Sequence, residues 1–476
     1  MVRALEEIPL YEKVADNVGK LIATGVLRPG DRVPSVRQTS RQQGVSLSTS
    51  VQAYLRLENR GLIEARPRSG YYVRFQSWTS LEPSIPQRPA TATRVKVSNM
   101  LGKVMDAAAD PAIVPFGAAC PDPALLPAAK LTRLMARVTR EAGIRGLQYD
   151  MPPGSIALRR QLAKRSISWQ CPMSPDDFIV TNGAAEALCL CLRATTKPGD
   201  TVAIEAPIWF GIFQLVEDLG LRAVGIPLHP KTGMDLEALE SILKRNRISA
   251  VVSIPNYNNP MGSLMPEANK KRLIEILARR EIPLIEDDLY GDLPFEGPRP
   301  SIAKRYDTKG LVLLCGSVSK TLAPGYRVGW SAPGRYYDKV RALKMTSSVG
   351  NATLPSLAIA EFLNNGGYDH HLRSIRRAFR EAVQRISAGI AETFPKQTRI
   401  SRPQGGFVIW VQLPGKRDAM ELYHRALAQQ IGIAPGPMFS PGKGFPNCFR
   451  INCAHVWTPR IEKAVATLGH LARQLI

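Results

Sequence analysis

Leu311-Val312-Leu313-Leu314-Cys315-Gly316-Ser317-Val318-Ser319-Lys320 is an apolar run of strand length that ends in two hydroxyls and one amine, and Arg327 follows seven residues after the lysine. A lysine at the carboxyl end of a strand is a candidate for a covalent bond to an aldehyde, and Ser317 and Ser319 with Arg327 offer a cup for a phosphate. Further apolar runs lie on both sides of this stretch: Phe178-Ile179-Val180, Val202-Ala203-Ile204, Ala250-Val251-Val252-Ser253-Ile254 and Pro283-Leu284-Ile285, alternating with helical stretches. Short apolar strands separated by helices predict an α/β unit on a mainly parallel sheet. Gly406-Phe407-Val408-Ile409-Trp410-Val411 and Cys448-Phe449-Arg450-Ile451-Asn452 suit a smaller α+β lobe in the tail.

Three other strand ends carry groups that make sense around the same ligand, an aldehyde bearing a phosphate and a pyridine ring. Thr181-Asn182-Gly183-Ala184-Ala185 follows a strand and opens a helix, whose free backbone N–H groups favour an anion. Small residues at such a junction equally serve packing. Glu286-Asp287-Asp288-Leu289-Tyr290 ends a strand where an unpaired acid is costly, and a protonated pyridine nitrogen is a partner for Asp287. Asn259, in Asn256-Tyr257-Asn258-Asn259-Pro260-Met261-Gly262, is a donor for a phenolate oxygen, with Tyr290 beside it.

The first 74 residues follow a different pattern. Tyr11, Val14, Val18, Leu21 and Ile22 share a helical face, a second short helix follows Pro34-Ser35, and a third runs from about Ser46 to Asn59 with Val51, Tyr54, Leu55 and Glu58 at helical spacing. Two strand-like runs then flank the turn Arg66-Pro67-Arg68-Ser69-Gly70. Three helices and a β-hairpin predict a winged helix-turn-helix. Ser46, Ser48, Thr49 and Ser50 offer short polar side chains for a DNA groove, and Arg32, Arg37, Arg41, Arg66 and Arg68 offer cations for phosphates. From Phe75 to Lys96 the composition turns to Ser, Thr and Pro, which predicts a linker.

At 476 residues the chain is too long for one small fold, and its 63 Lys and Arg against 40 Asp and Glu give +23, a balance that favours an anionic partner, nucleic acid first. Seven cysteines without a CxxC pair read as reduced thiols, not as a disulfide frame or zinc site. No uninterrupted apolar run reaches membrane-spanning length and acids stand where a signal peptide needs its apolar core, so a cytoplasmic location is expected.

The order Leu27-Arg28-Pro29-Gly30-Asp31-Arg32-Val33-Pro34-Ser35-Val36-Arg37, Gly44-Val45-Ser46, Gln52-Ala53-Tyr54, Gly61-Leu62-Ile63 and Gly70-Tyr71-Tyr72-Val73 closely resembles the GntR family of winged-helix regulators. The resemblance implies operator binding through Arg32, Ser35, Arg37, the Ser46, Ser48 and Thr49 segment and the wing residues Arg66 and Arg68. Leu47 departs from the basic or amide residue common in relatives. From about residue 112 on, Asn-Pro-x-Gly, Asp-x-x-Tyr and Ser-x-Ser-Lys stand in the order seen in fold-type I pyridoxal-phosphate enzymes of the class I/II aminotransferase group. That resemblance implies Lys320 as the catalytic lysine, Asp287 on the pyridine nitrogen, and Asn259 and Tyr290 on the ring oxygen. It also implies Gly183, Ala184, Ala185, Ser317, Ser319 and Arg327 around the phosphate, Trp209 stacked on the ring, Tyr149 donated across a dimer interface to the phosphate, and Arg450 on a ligand carboxylate. No metal is expected.

A winged helix at 1–74, a linker and lead-in helix at 75–111 and an aminotransferase-like domain at 112–476, with a small lobe from about 350, is similar to the MocR-type arrangement. The expectation is a pyridoxal-phosphate-dependent transcriptional regulator that senses the cofactor or an amino-acid or amine ligand, working as a head-to-tail, domain-swapped homodimer. The alternatives are a working aminotransferase with an attached DNA-binding domain, and a DNA-binding protein with a purely structural second domain.

Overall fold

The structure, a computed structural model, describes residues 9–66, 69–74, 81–84, 92–95, 100–442 and 444–475. The chain divides into two compact units, Met1–Thr79 with Gln384–Glu392, and Ser80–Val383 with Thr393–Ile476.

The first unit contains α1 (Leu10–Ala23), α2 (Val36–Gln43), α3 (Leu47–Asn59) and an antiparallel hairpin of β1 (Ile63–Arg66) and β2 (Gly70–Val73), with Ile63 opposite Val73. Ser35 and Ser46 cap α2 and α3, their hydroxyls accepting from the backbone N–H of Gln38 (3.2 Å) and Thr49 (3.0 Å). These bonds satisfy donors that the first helical turn leaves open. Gly44 joins the two helices at φ 64°, a conformation that a β-carbon disfavours. The core is Val14, Ala15 and Val18 of α1, Ala53, Tyr54 and Leu57 of α3, and Val33, Ile63 and Val73. Thus α3 turns inward on a different face from the one its Val51 and Leu55 mark: both stay exposed, as does Leu47, while Ser50 is fully buried. Tyr54 explains the choice, because its ring fills the core and its hydroxyl donates to Pro34 O at 2.6 Å.

In the second unit an edge strand, β3 (Thr93–Arg94), and a lead-in helix, α4 (Met100–Ala109), come first. The short β4 (Val114–Pro115) follows, then α5 (Ala128–Ala142), α6 (Ile156–Ser166), β5 (Ile179–Thr181) and α7 (Ala184–Thr195). Next come β6 (Thr201–Ala206), β7 (Arg222–His229), β8 (Gly233–Met234), β9 (Ala250–Ser253), β10 (Leu284–Asp287), β11 (Val312–Ser317) and β12 (Gly329–Ala332). The large sheet runs in the order β3-β7-β6-β9-β10-β11-β12-β5, with β8 paired to β7. From β7 to β11 neighbours are parallel, and β12 and β5 close the far edge antiparallel. Strands β9, β10 and β11 are buried along their whole length, and none of them alternates apolar with polar residues as a half-exposed strand would.

A smaller antiparallel sheet is formed by β13 (Arg399–Ile400), β14 (Val408–Gln412), β16 (Ala434–Pro435) and β17 (Cys448–Asn452), while β15 (Ile431–Gly432) pairs with β4. The segment read as a linker is not free throughout. Thr93 and Arg94 pair with Ala223 and Arg222 of β7, Leu81 O accepts from Ile400 N at 3.1 Å, and Ser84 N donates to Gln412 Oε1 at 2.8 Å. Backbone groups at a sheet edge give even a polar, proline-rich segment something to bond to. Among the described residues no helix is long and apolar enough to cross a membrane.

Candidate functional site

The parallel strands end together at their carboxyl termini, the position where open α/β sheets bind ligands. There a cavity of about 370 Å³ is lined by residues from several of these ends, among them Ala184, Ala185, Trp209, Asn259, Asp287, Tyr290, Ser319, Lys320, Arg327 and Arg450. Lys320 follows β11, and its Nζ donates to Ala119 O at 2.7 Å. Burial lowers its pKa, which favours the neutral amine that an aldehyde requires. Asp287, the last residue of β10, is 3% exposed and its Oδ1 has no hydrogen-bond partner. Burial first, and the neighbouring Asp288 second, push its carboxyl up to about 7.

Ser317 and Ser319 form a local lattice. Their hydroxyls are 2.7 Å apart, Ser317 Oγ donates to Val328 O at 2.8 Å, and Ser319 N donates to Ser317 Oγ at 3.0 Å. Arg327 sits across from them at φ 53°, its guanidinium donating to Asn182 O at 3.1 Å and Pro324 O at 3.2 Å. Gly183, at φ 83°, is the N-cap of α7, and a β-carbon there would collide with the Arg327 guanidinium. Hydroxyls, a guanidinium and an open helix N-terminus therefore meet at one wall.

Elsewhere in the cavity wall Asn259 Nδ2 donates to the Tyr290 hydroxyl at 3.0 Å, and Arg450 Nη1 donates to Asn259 Oδ1 at 2.9 Å. Arg450 reaches in from β17, also bonds Gly117 O, and keeps its Nε unpartnered. Burial lowers the Arg450 pKa to about 10 and raises that of Tyr290. Trp209 lies over Gly211, where any β-carbon would strike the indole. Tyr149 is absent from this wall and stands 79% exposed.

Two networks behind the cavity escaped the sequence reading. Asp288 pairs with Arg299, whose Nε contacts Asp292 Oδ1 at 2.6 Å. Tyr368 OH then lies 2.9 Å from both Asp292 Oδ2 and Thr321 Oγ1, and His371 Nε2 lies 2.6 Å from Thr321 O. Burial alone would raise Asp292, but Arg299 and Arg165 outweigh it and hold the carboxyl at about 2. Being ionised, Asp292 can only accept, and Tyr368 OH is the donor that faces both it and Thr321 Oγ1. The network thus joins the residue after Asp287 to the residue after Lys320. The second network centres on Glu205 of β6, fully buried, which accepts from Ser253 Oγ (2.5 Å), Ile254 N (3.1 Å) and Asn258 Nδ2 (2.6 Å). It fixes the residue before Asn259. An acid one residue from a strand's end was the available signal for Glu205; nothing in sequence marks Tyr368, more than 40 residues from Thr321.

In the first unit Arg32, Ser35 and Arg37 stand exposed around the start of α2, and Ser46 and Ser48 stand exposed at the start of α3 with Thr49 half-buried. The Ser46 hydroxyl is shared among its cap, Ser48 Oγ (2.8 Å) and Thr49 Oγ1 (2.7 Å). Ser50 faces the core and offers nothing to a groove. Arg66 is drawn onto its own hairpin, 3.0 Å from Glu64 and 4.2 Å over the Tyr72 ring. Arg68 lies outside the described residues.

Two family profiles match the chain: bacterial regulatory proteins of the gntR family over residues 10–73, and aminotransferase class I and II over residues 122–468. The chain is 38% identical over 465 residues to YdcR, an HTH-type transcriptional regulator of Escherichia coli, covering 98% of this chain and 99% of the relative. It is 32% identical to a 2-aminoadipate transaminase of Thermus thermophilus, over 77% of this chain and 91% of that protein. Among solved structures, the α-aminoadipate aminotransferase LysN of Thermus thermophilus, complexed with N-(5'-phosphopyridoxyl)-L-leucine, superposes with a TM-score of 0.73 at 30% identity over 80% of this chain and 95% of that one.

Proposed function

Because the chain belongs to the MocR-type family, a GntR-family winged helix followed by a class I and II aminotransferase domain whose cofactor is pyridoxal phosphate, we propose that it is a transcriptional regulator in which the cofactor cavity is a sensor read out as DNA binding. The observation that carries this reading is the pair of unmet groups in one cavity: an acceptor, Asp287 Oδ1, and a donor, Arg450 Nε. A pyridinium N–H answers the first and a carboxylate answers the second.

Pyridoxal phosphate, when bound, supplies an aldehyde that takes up an amine and a ring that withdraws electrons. Lys320 would hold the aldehyde through its neutral Nζ, and Asp287 would keep the ring nitrogen protonated, its own carboxyl becoming ionised by the pairing. Asn259 and Tyr290 would donate to the ring oxygen, and Trp209 would cover the ring face. Ser317, Ser319, Arg327 and the N-terminus of α7 at Gly183, Ala184 and Ala185 would bind the phosphate. Arg450 would take the carboxylate of an incoming amino acid, whose amine then competes with Lys320. Differential affinity of that ligand for two arrangements of the domain is what moves the DNA-binding equilibrium.

In the other unit Arg32, Arg37 and the wing would hold phosphates, while Ser48, Thr49 and the exposed Leu47 face the groove. A homodimer completes this reading. Exposed Tyr149 would reach the phosphate of the partner's site, and each winged helix would lie near the other subunit's large domain.

The experiment is a gel-shift titration of the Lys320→Ala variant beside the unsubstituted chain. Basal operator binding is expected to persist, while the visible absorbance band of the cofactor and the response to amino acids are lost. An unchanged response in the variant contradicts the proposal. Sustained turnover of an amino acid with a keto-acid acceptor would instead favour a working aminotransferase.

A further inference from the structure

Glu186 is an acid in the first turn of α7, the helix whose N-terminus faces the candidate phosphate cup. An acid there suits a bare helix terminus, but it also repels a phosphate that comes to the same N–H groups. A lysine answers the conflict. Lys344, on the helix Tyr337–Ser348, is fully buried, and its Nζ donates to Glu186 Oε2 and to Ser348 Oγ, each at 2.8 Å. Burial alone would raise the Glu186 carboxyl, but hydrogen bonds from Lys344, Ser348 and the Asn182 backbone outweigh it and hold it below the ordinary carboxylate value. The carboxyl is therefore ionised, with the lysine against it.

Granted that Arg327, the two serines and the N-terminus of α7 bind the phosphate, as proposed above, we infer that Glu186 and Lys344 are positioning residues for that phosphate, acting through Asn182. Asn182 is held from three sides. Its N donates to Glu186 Oε2 at 2.6 Å, its Oδ1 accepts from Asn351 Nδ2 at 2.9 Å, and its carbonyl accepts from Arg327 Nη2 at 3.1 Å. Gly183 follows it, with no room for a β-carbon against the Arg327 guanidinium. A shift of Asn182 therefore disturbs the helix N-terminus and the guanidinium together. Glu186 fixes Asn182 by a hydrogen bond, and Lys344 cancels the charge that this bond would otherwise set against the phosphate.

The test compares dissociation constants of pyridoxal phosphate and of pyridoxal, its analogue without the phosphate, on the full chain. The visible band and tryptophan fluorescence are the readouts. The two compounds share the ring and the aldehyde, so their ratio isolates the cup. Lys344→Met leaves Glu186 charged without its partner and is expected to lower the preference for the phosphate-bearing form about tenfold. Glu186→Ala, which releases Asn182, is expected to lower it about fivefold. Glu186→Gln, with its amide oxygen in the place of Oε2, should restore what Glu186→Ala loses. The double variant Glu186→Gln, Lys344→Met should likewise recover most of the loss in Lys344→Met, because no bare charge remains. Arg327→Ala is the control: an unmoved ratio there brings down the phosphate cup itself, and this inference with it. Where Arg327→Ala does move the ratio, an unmoved ratio in Lys344→Met, or a double variant no better than Lys344→Met, overturns the positioning pair alone. Melting curves establish that each variant is folded. Should Lys344→Met be unfolded, the Glu186 variants decide, and an unmoved ratio in Glu186→Ala overturns the inference.

Discussion

Glu205 is a single carboxyl whose burial has a measurable price in stability. Burial raises its pKa to about 7, against an ordinary carboxylate value near 4.5. A group raised in the folded state holds its proton more tightly there, so stability falls as pH rises from about 4 to about 7 and is flat beyond. Glu205→Gln keeps both acceptor bonds, to Ile254 N and Asn258 Nδ2, and turns Ser253 Oγ into an acceptor. Calorimetry should show the variant melting higher than the unsubstituted chain at pH 8 and equal to it at pH 4, the gain bounded by about 3 kcal/mol. Tyr368 supports the opposite prediction, a loss. Tyr368→Phe and Thr321→Val each remove one side of a 2.9 Å contact beside Lys320. Each should shift the pH midpoint of the cofactor's visible band, and the double variant should shift it no further than the larger single change. Additive shifts would mean that the two hydroxyls act separately.

At the scale of elements, the proposed DNA contact asks α3 to keep its N-terminus open while remaining capped. Ser46→Ala removes the cap and should destabilise α3 by about 1 kcal/mol, seen as roughly fivefold faster amide exchange along Leu47–Asn59 in the full chain. Arg37→Ala at the exposed start of α2 should leave the helix intact and lower the slope of log affinity against log salt by about one. Elements were legible wherever local chemistry fixes them: the caps at Ser35 and Ser46, and the apolar strands ending in Asp287 and Ser317. The face of α3 was not. Val51 and Leu55 follow helical spacing as well as Tyr54 does, and only packing against α1 decides that Ala53, Tyr54 and Leu57 go inside. Likewise the candidate cavity could be assembled from strand ends, whereas the Asp288–Arg299–Asp292–Tyr368–Thr321 chain depends on contacts between distant segments that no local pattern encodes.

At the scale of the molecule the surface carries a patch that one chain leaves bare. Ile144, Leu147 and Tyr149 are 79%, 89% and 79% exposed, within six residues of each other. A cluster this apolar marks a contact surface. On the proposed homodimer, Leu147→Glu is expected to give a monomer in sedimentation and to weaken cofactor retention, since Tyr149 would then have no neighbouring site to enter. A variant that stays dimeric would place the contact elsewhere. A different consequence follows from the guanidinium of Arg450, which already bonds Asn259 and Gly117. A ligand carboxylate that grips the free Nε and an Nη together competes with one of these resident contacts, so its apparent affinity is discounted by the fraction of time that the Nη is released. Such a receptor is deaf to traces and answers only to abundance. The cell would consult it as a gauge of plenty, one whose working range is set by the protein's own grip on its arginine.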